Sequence, residues 1–417
     1  MACHWRVETL KQAITKEISL LFIFLIAIST GCSSGKQSKG GLPYIDSRKD
    51  YPEKELILTD IADVTYVVLN SDNEDYIYSG FGVRYITENT IVVYDASSGS
   101  ILFFSKDGKP KSRFNRKGRG PGEYLEAHTI LYDELSDELF VLNFLYSDVA
   151  INVYSSTGIY KRTISVPGVS IYRVVSFDDH SLLVYDLNYR LWKVNDSPDP
   201  PRPERSRYPS QFYREVKYDS PFFLISKTDG AIIDIIKLPE KDFLLRDNVG
   251  ESFSATVPMV HSPTGVFLCN PDADTVFLYN KDKSLTPVFY KTPPGCDSYP
   301  KVILNNCADM GRYQFMELVT LKQDEDKTYQ AHPVKYYYRD KDSGEIFRQK
   351  IVLPDYKGKE FLIRPNGLYF EKGYRFNLDL LELKQAYREG RLSGKLKELV
   401  VTLRDDDNNV LVLINFK

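Results

Sequence analysis

The chain has 417 residues, with 54 Lys and Arg against 57 Asp and Glu and a formal net charge of −3. That balance carries no basic footprint for a phosphate backbone, which excludes nucleic acid as an expected partner.

At the N-terminus, scattered positive charge (Arg6, Lys11, Lys16) precedes the apolar run Ile18–Ile28, and small residues then lead to Gly31 and Cys32. This is the three-part layout of a secretory signal over residues 1–31. The run is about half of the roughly 20 residues that a spanning helix needs, so no permanent span is expected. Ser29-Thr-Gly-Cys32 resembles a bacterial lipobox, with Ser29 where Leu is usual and Ile28 one place early. Cys32 is therefore the expected lipidation site; an incidental Cys behind an ordinary signal is the other reading. Residues 32–54 follow as lipidated cysteine and flexible tether, Ser33–Gly41 being polar and rich in Gly and Ser. Without residues 1–31 the chain keeps 386 residues, with 51 Lys and Arg against 55 Asp and Glu.

Residues 55–417 read as one all-β body, because short runs rich in Tyr, Phe, Val and Ile alternate with turn residues. One pattern recurs: an apolar run ending in Asp or Asn, a short polar gap, then a second run ending in a turn. Its copies are Ile91–Asp95 with Ile101–Gly108, Leu139–Asn143 with Ala150–Gly158, Leu182–Asp186 with Leu191–Asn195, and Val266–Asn270 with Val276–Asn280. The spacing predicts a degenerate copy near residue 228, where Phe222–Gly230 and Ile232–Ile236 lie. A period in the low-to-mid forties fits one four-stranded propeller blade, whose two apolar faces only neighbouring blades can cover. Strand-like Leu56–Leu69 and Val410–Phe416 are expected to close the ring by sharing a blade, with Asp405–Asn409 as a hairpin turn. The proline-rich Ser197–Pro209 reads as an insertion between blades, and Asn377–Gly390 as a short capped helix.

The segment Gly108–Tyr124 ends in Gly118-Arg-Gly-Pro-Gly-Glu-Tyr124. This turn, together with the closing Asn408–Lys417, resembles six-bladed β-propeller lipoproteins of Bacteroides-type bacteria, which are related in form to NHL-type propellers. The resemblance implies six blades; spacing alone admits seven. It also implies an outer-membrane lipoprotein, and Ser33–Lys39, lacking an acidic cluster, points to the periplasmic side rather than the cell surface. In the turn, Gly118, Gly120 and Gly122 permit backbone angles closed to other residues, and Pro121 stiffens it. It either braces two blades or holds Arg119, Glu123 and Tyr124 as ligand contacts at the mouth of the central channel. A nucleotide fingerprint is excluded, because no Lys-Ser/Thr follows and Glu123 stands where a third Gly is needed.

Other chemistry is sparse. His128, His180, His261 and His332 are widely separated, without metal-binding spacing, and no Gly-x-Ser-x-Gly elbow occurs. No metal or cofactor is expected. Phe177-Asp-Asp-His180 reads as a turn or as a source of acid/base groups, and Asp272-Ala-Asp274 as a turn. Cys296 and Cys307 are spaced for a disulfide in an oxidising compartment, and Cys269 reads as a buried hydrophobe. Tyr-rich stretches such as Tyr336–Tyr338 suit blade packing or stacking on sugars. The expected function is a monomeric, lipid-anchored module that binds or scaffolds a glycan, peptide or envelope protein. The alternative is a hydrolase or lyase whose groups converge on the channel from several blades.

Overall fold

The structure is a computed structural model that describes residues 41–79, 82–144, 149–186, 189, 217–239, 258–270, 273–294, 300–323, 329–365, 368–370 and 373–417. The signal, Cys32 and Ser33–Gly40 lie outside the described residues.

β1 (Tyr44–Asp46), β2 (Glu53–Ile57), the single turn α1 (Leu58–Ile61) and β3 (Ala62–Val68) come first. Blade 1 is β4 (Val83–Ile86), β5 (Thr90–Asp95), β6 (Ser100–Ser105) and β7 (Pro110–Asn115); blade 2 is β8 (Ala127–Asp133), β9 (Glu138–Phe144), β10 (Val149–Tyr154) and β11 (Tyr160–Ile164). Blade 3 is β12 (Ile171–Ser176), β13 (Ser181–Asp186), β14 (Phe222–Ser226) and β15 (Ile232–Ile236). Blade 4 follows with β16 (Met259–Ser262), β17 (Gly265–Leu268), β18 (Thr275–Asn280) and β19 (Leu285–Thr292). Blade 5 has the long strands β20 (Lys301–Met310), β21 (Tyr313–Gln323) and β22 (Tyr329–Asp340), then β23 (Ile346–Val352) with the short β24 (Glu360–Phe361) beside it. Blade 6 is β25 (Leu368–Phe370), β26 (Gly373–Leu378), the helices α2 (Leu380–Arg388) and α3 (Gly394–Thr402), then β27 (Val410–Phe416). The innermost strands β4, β8, β12, β16 and β20 touch in turn, and β25 touches β4.

The chain is thus an all-β, six-bladed propeller of four-stranded antiparallel blades. Its ring is closed by β3, which pairs antiparallel with β27 from Val68 opposite Val410 to Ala62 opposite Phe416. The predicted opening strand is split by α1. Its first half, β2, adds in parallel to the outer strand of blade 5, and β1 does the same on blade 4. Residues 44–54, expected in the tether, are therefore partly sheet; their backbone groups cover edges that would otherwise stay unpaired.

The continuous apolar runs follow from burial on both sheet faces. All six residues of β5 are buried, and successive side chains point to opposite blades. Ile91 and Val93 pack with Val67 and Leu411 of blade 6, whereas Val92 and Tyr94 pack with Ala127 and Leu139 of blade 2. The Asp or Asn that closes such a run is a fastener for the segment entering the innermost strand. Asp95 accepts from Ser79 Oγ (2.9 Å), Asn143 Oδ1 accepts from the Leu125 amide (3.1 Å), and Asp186 accepts from the Ser170 amide (2.9 Å).

Three expectations need correction. Phe222–Ile236 is not a separate degenerate blade but the third and fourth strands of blade 3, β13 pairing directly with β14. Strands β4, β8 and β12 begin at 83, 127 and 171, 44 residues apart, and β16 begins at 259, twice that interval on. The segment between β13 and β14 thus lengthens blade 3 by about one period and mimics an extra repeat. The proline-rich stretch, itself outside the described residues, therefore falls in the chain between two strands of one blade and not between two blades, and Leu191–Asn195 also lies outside the described residues. Asp405–Asn409 links α3 to β27 instead of turning a hairpin, Asp407 accepting from Ser71 Oγ and the Arg404 amide. The predicted helix is α2, capped by the Asp379 side chain on the Glu382 amide (3.0 Å).

Candidate ligand-binding site

Antiparallel pairing sorts the connections. Links from first to second and from third to fourth strand leave one face of the ring, the corner face; links from second to third strand and from blade to blade leave the other, the crossover face.

The Gly118–Tyr124 turn is a blade-to-blade crossover. Gly118 donates to the Tyr124 carbonyl (3.0 Å), Tyr124 donates back to the Arg116 carbonyl (3.0 Å), and the Gly120 amide donates to Glu123 Oε2 (2.7 Å). Its outer wall is blade 2: Asn143 and Asn152 both donate to the Glu123 carbonyl (3.1 and 2.9 Å), and Tyr154 Oη donates to the Gly122 carbonyl (2.9 Å). Tyr124 is fully buried between blades 1 and 2, its hydroxyl donating to the Gly99 carbonyl (2.7 Å). Burial pushes its phenol well above the usual range. A wholly buried ring cannot meet a ligand, so Tyr124 leaves the expected contacts. Glu123 is occupied by its own turn, and Arg119 is exposed. The glycines have steric reasons. A Cβ on Gly118 would fall on the Glu123 carboxylate, and Gly122, at φ +69°, lies against the Tyr160 ring.

On the corner face lies a depression of about 950 Å³. Blade 1 lines it with Tyr85–Glu88 and Lys106, blade 2 with Tyr132–Glu134, and blade 3 with Ser176–Asp179 and Lys227. Blade 4 supplies His261, Ser262, Gly265 and Lys281, and blade 6 supplies Asn415. Residues far apart in sequence meet here because each stands at a corner of its blade.

Most of the charge in this depression fastens blades together. Glu134 Oε2 accepts from Thr87 Oγ1 (3.0 Å) and the Asn89 amide (3.3 Å), its other oxygen from Thr90, so blade 2 is tied to blade 1. Partial burial opposes ionisation of Glu134, but these donors outweigh it and hold the carboxyl below its usual range. Lys227 of blade 3 reaches Asp133 of blade 2 at 3.2 Å, with 8% of its side chain exposed. Asp133 is likewise held low, the Lys227 charge and the Ser136 donors outweighing burial. Asp178 Oδ1 accepts from the His180 amide (2.8 Å) and Ser181 Oγ (2.6 Å), which outweigh burial in the same way. Phe177–His180 is therefore a turn, and also a wall of the depression. Lys106 donates to the Thr87 carbonyl (2.9 Å), and burial lowers its pKa against the pull of Glu134 and Glu88.

Two carboxyls shift the other way. Burial raises Glu317 and Asp309, both in blade 5, against Asn305 and Lys341 respectively. Cys307 and Cys269 are buried together in the core of blades 4 to 6; burial pushes the Cys269 thiol up to about 12. Cys296 and Asp272 lie outside the described residues, and Asp274 pairs with the buried Lys291 at 2.8 Å. Among the described residues no group of three His, Cys, Asp or Glu is placed to hold a metal ion, and no helix is long and apolar enough to cross a membrane.

Comparison with known proteins agrees on the fold. Residues 33–195 match the model of a family described as a 6-bladed beta-propeller. Among solved structures, a Bacteroides fragilis protein described as exported aligns over 88% of this chain and 98% of its own, at 15% identity and a TM-score of 0.56. Weaker matches include a Lactobacillus plantarum protein (11% identity, 70% of this chain and 97% of that one, TM-score 0.37). A Xanthomonas campestris GH74 xyloglucanase also aligns (10% identity, 69% and 39%, TM-score 0.38). No curated protein matches. At these identities the likeness is one of fold, and the chain takes its place among six-bladed β-propellers.

Proposed function

We propose that this chain is a lipid-anchored envelope module that binds a glycan or peptide in the corner-face depression without transforming it. The observation carrying this reading is the depression itself, about 950 Å³ and lined from five blades, a size typical of small-molecule sites. Its hydrogen-bonded carboxyls Asp133, Glu134 and Asp178 are held ionised. A glycoside-cleaving pair needs one carboxyl raised to serve as proton donor, the opposite shift. The half-buried Tyr85 and the narrow exposed part of Phe177 beside those acids suit a ligand with a carbon face and polar edges. Anchoring through Cys32, with export directed by residues 1–31, keeps the module at the periplasmic side of the outer membrane.

The test is a thermal-shift and calorimetric screen of the chain from residue 33 onward against neutral, anionic and cationic oligosaccharides and short peptides, with product analysis of every hit. Binding without turnover, weakened by substitutions in the depression, is the expected result. Release of product would move the chain to the hydrolase or lyase alternative, and a screen without hits would overturn the site. Incorporation of a labelled fatty acid that vanishes in Cys32→Ala checks the anchor.

A further inference from the structure

The charged groups of the depression divide into two kinds. Glu134 and Asp133 are saturated by donors from neighbouring blades, and Lys227 and Lys106 are tied to Asp133 and the Thr87 carbonyl. Glu88 and Asp179, by contrast, are exposed and form no ion pair with a described residue. They stand at the first corners of blades 1 and 3, on either side of the saturated blade 2 corner, with Asp178 beside Asp179. Lys106 and Lys227 of the depression are thus held within the ring, Lys106 also feeling the charge of Glu88, while Glu88 and Asp179 stay exposed.

We propose that the depression selects ligands carrying a fixed positive charge, an amine or guanidinium, received by Glu88 and the Asp178–Asp179 corner. This rests on the binding reading above and names its ligand class. A cation entering between the two corners meets carboxylates whose nearest lysines are already engaged. Its carbon body lies against Tyr85 and Phe177. A polyanion, by contrast, meets the two acidic corners.

The experiment is calorimetry on the chain from residue 33 onward with two amine sources, tri-lysine and a glucosamine tetramer, each beside its fully N-acetylated form, and with tri-glutamate. Binding of at least one amine, lost on acetylation and weakened at least tenfold in Glu88→Gln/Asp179→Asn with unchanged melting temperature, is expected. Whichever amine binds identifies the source. Asp95→Asn, which removes a fastener on the crossover face, is expected to lower the melting temperature and leave the affinity of folded protein within about twofold. Equal binding of the acetylated forms, or preference for tri-glutamate, overturns the charge selection while leaving a binding site in place. No binding by any probe here or in the broader screen overturns both.

Discussion

The two faces of this propeller use the same residue types for opposite ends. On the crossover face a conspicuous motif, Gly118–Tyr124, spends its polar groups on its own backbone and on Asn143, Asn152 and Tyr154 of blade 2. On the corner face no motif is visible, yet short turn segments and single residues from five blades form a cavity. In a ring of repeated sheets, a dense local motif marks where one blade must be locked to the next. The lining of the depression is gathered instead from scattered corners, one to five residues per blade.

The strongest way to break that contrast is at Tyr124. Tyr124→Ala removes a fully buried ring and its bond to the Gly99 carbonyl, and is expected to cost about 3–5 kcal/mol by analogy with other buried aromatic truncations. Tyr124→Phe keeps the ring and is expected to cost about 1 kcal/mol. Denaturant unfolding measures both. A Tyr124→Ala protein of near-native stability that loses ligand binding would restore this turn as the functional site. Gly118→Ala should fall between them, because the new methyl drives the Glu123 carboxylate off the Gly120 amide.

Next in size are the fasteners of the corner face. Asp133→Asn leaves the Lys227 ammonium, 8% exposed, without its carboxylate, and is expected to lower stability by about 1–3 kcal/mol. If this variant unfolded like the wild type, the claim that blade-to-blade ties use up these charges would fail, and Lys227 would become a candidate ligand contact.

Much of the fold is legible in the sequence for a physical reason. A strand buried on both faces must be apolar at every position, so Ile91–Tyr94 and Leu139–Leu142 stand out, and each ends in the Asp or Asn that clips the segment entering its own blade. The same logic misled the count at blade 3, where an insertion of nearly one period separates β13 from β14 and imitates a repeat. The depression escaped notice because its residues lie in ordinary turn sequences. One signal was present: a lysine directly after the third strand of several blades, at 106, 227, 281 and 341, whose amide bonds the first corner of its own blade at Asn89, His180, Thr264 and Arg312. Aligning blades on that lysine brings Glu88 and Asp179 into equivalent places, one residue before the Asn89 and His180 carbonyls, which the apolar runs alone do not.

Acid titration compares the faces with a smaller effect. Asp95 on the crossover face, and Asp133, Glu134 and Asp178 on the corner face, all have lowered pKa values: burial opposes ionisation in each, and donors or Lys227 outweigh it. The unfolded chain therefore binds protons before the folded one as pH falls, so the stability these groups contribute is present above the ordinary carboxylate pKa of about 4 and is lost below it. Glu317 and Asp309, raised by burial, act in the opposite sense, favouring the fold below their raised values. Melting temperature is thus expected to fall as pH drops from about 4 to 2, with a shallower fall in Asp95→Asn. An equally steep fall in that variant would show that the Ser79, Ser97 and Ser98 donors do not hold the Asp95 charge.

The smallest predicted effect bears most directly on function. Glu88→Gln and Asp179→Asn, singly or together, are expected to change unfolding free energy by less than about 0.5 kcal/mol, as exposed substitutions away from structural contacts do. Exposed acids that form no ion pair with a described residue, placed between acids that fasten blades, are expected to contribute little to the fold. If the pair proved as costly to remove as Asp133, they too would be fasteners, and the corner face would differ from the crossover face in sequence style alone. If they are silent in unfolding but decisive in binding, the division of labour between the two faces extends down to neighbouring residues such as Asp178, which ties its own corner through Ser181, and Asp179, which does not.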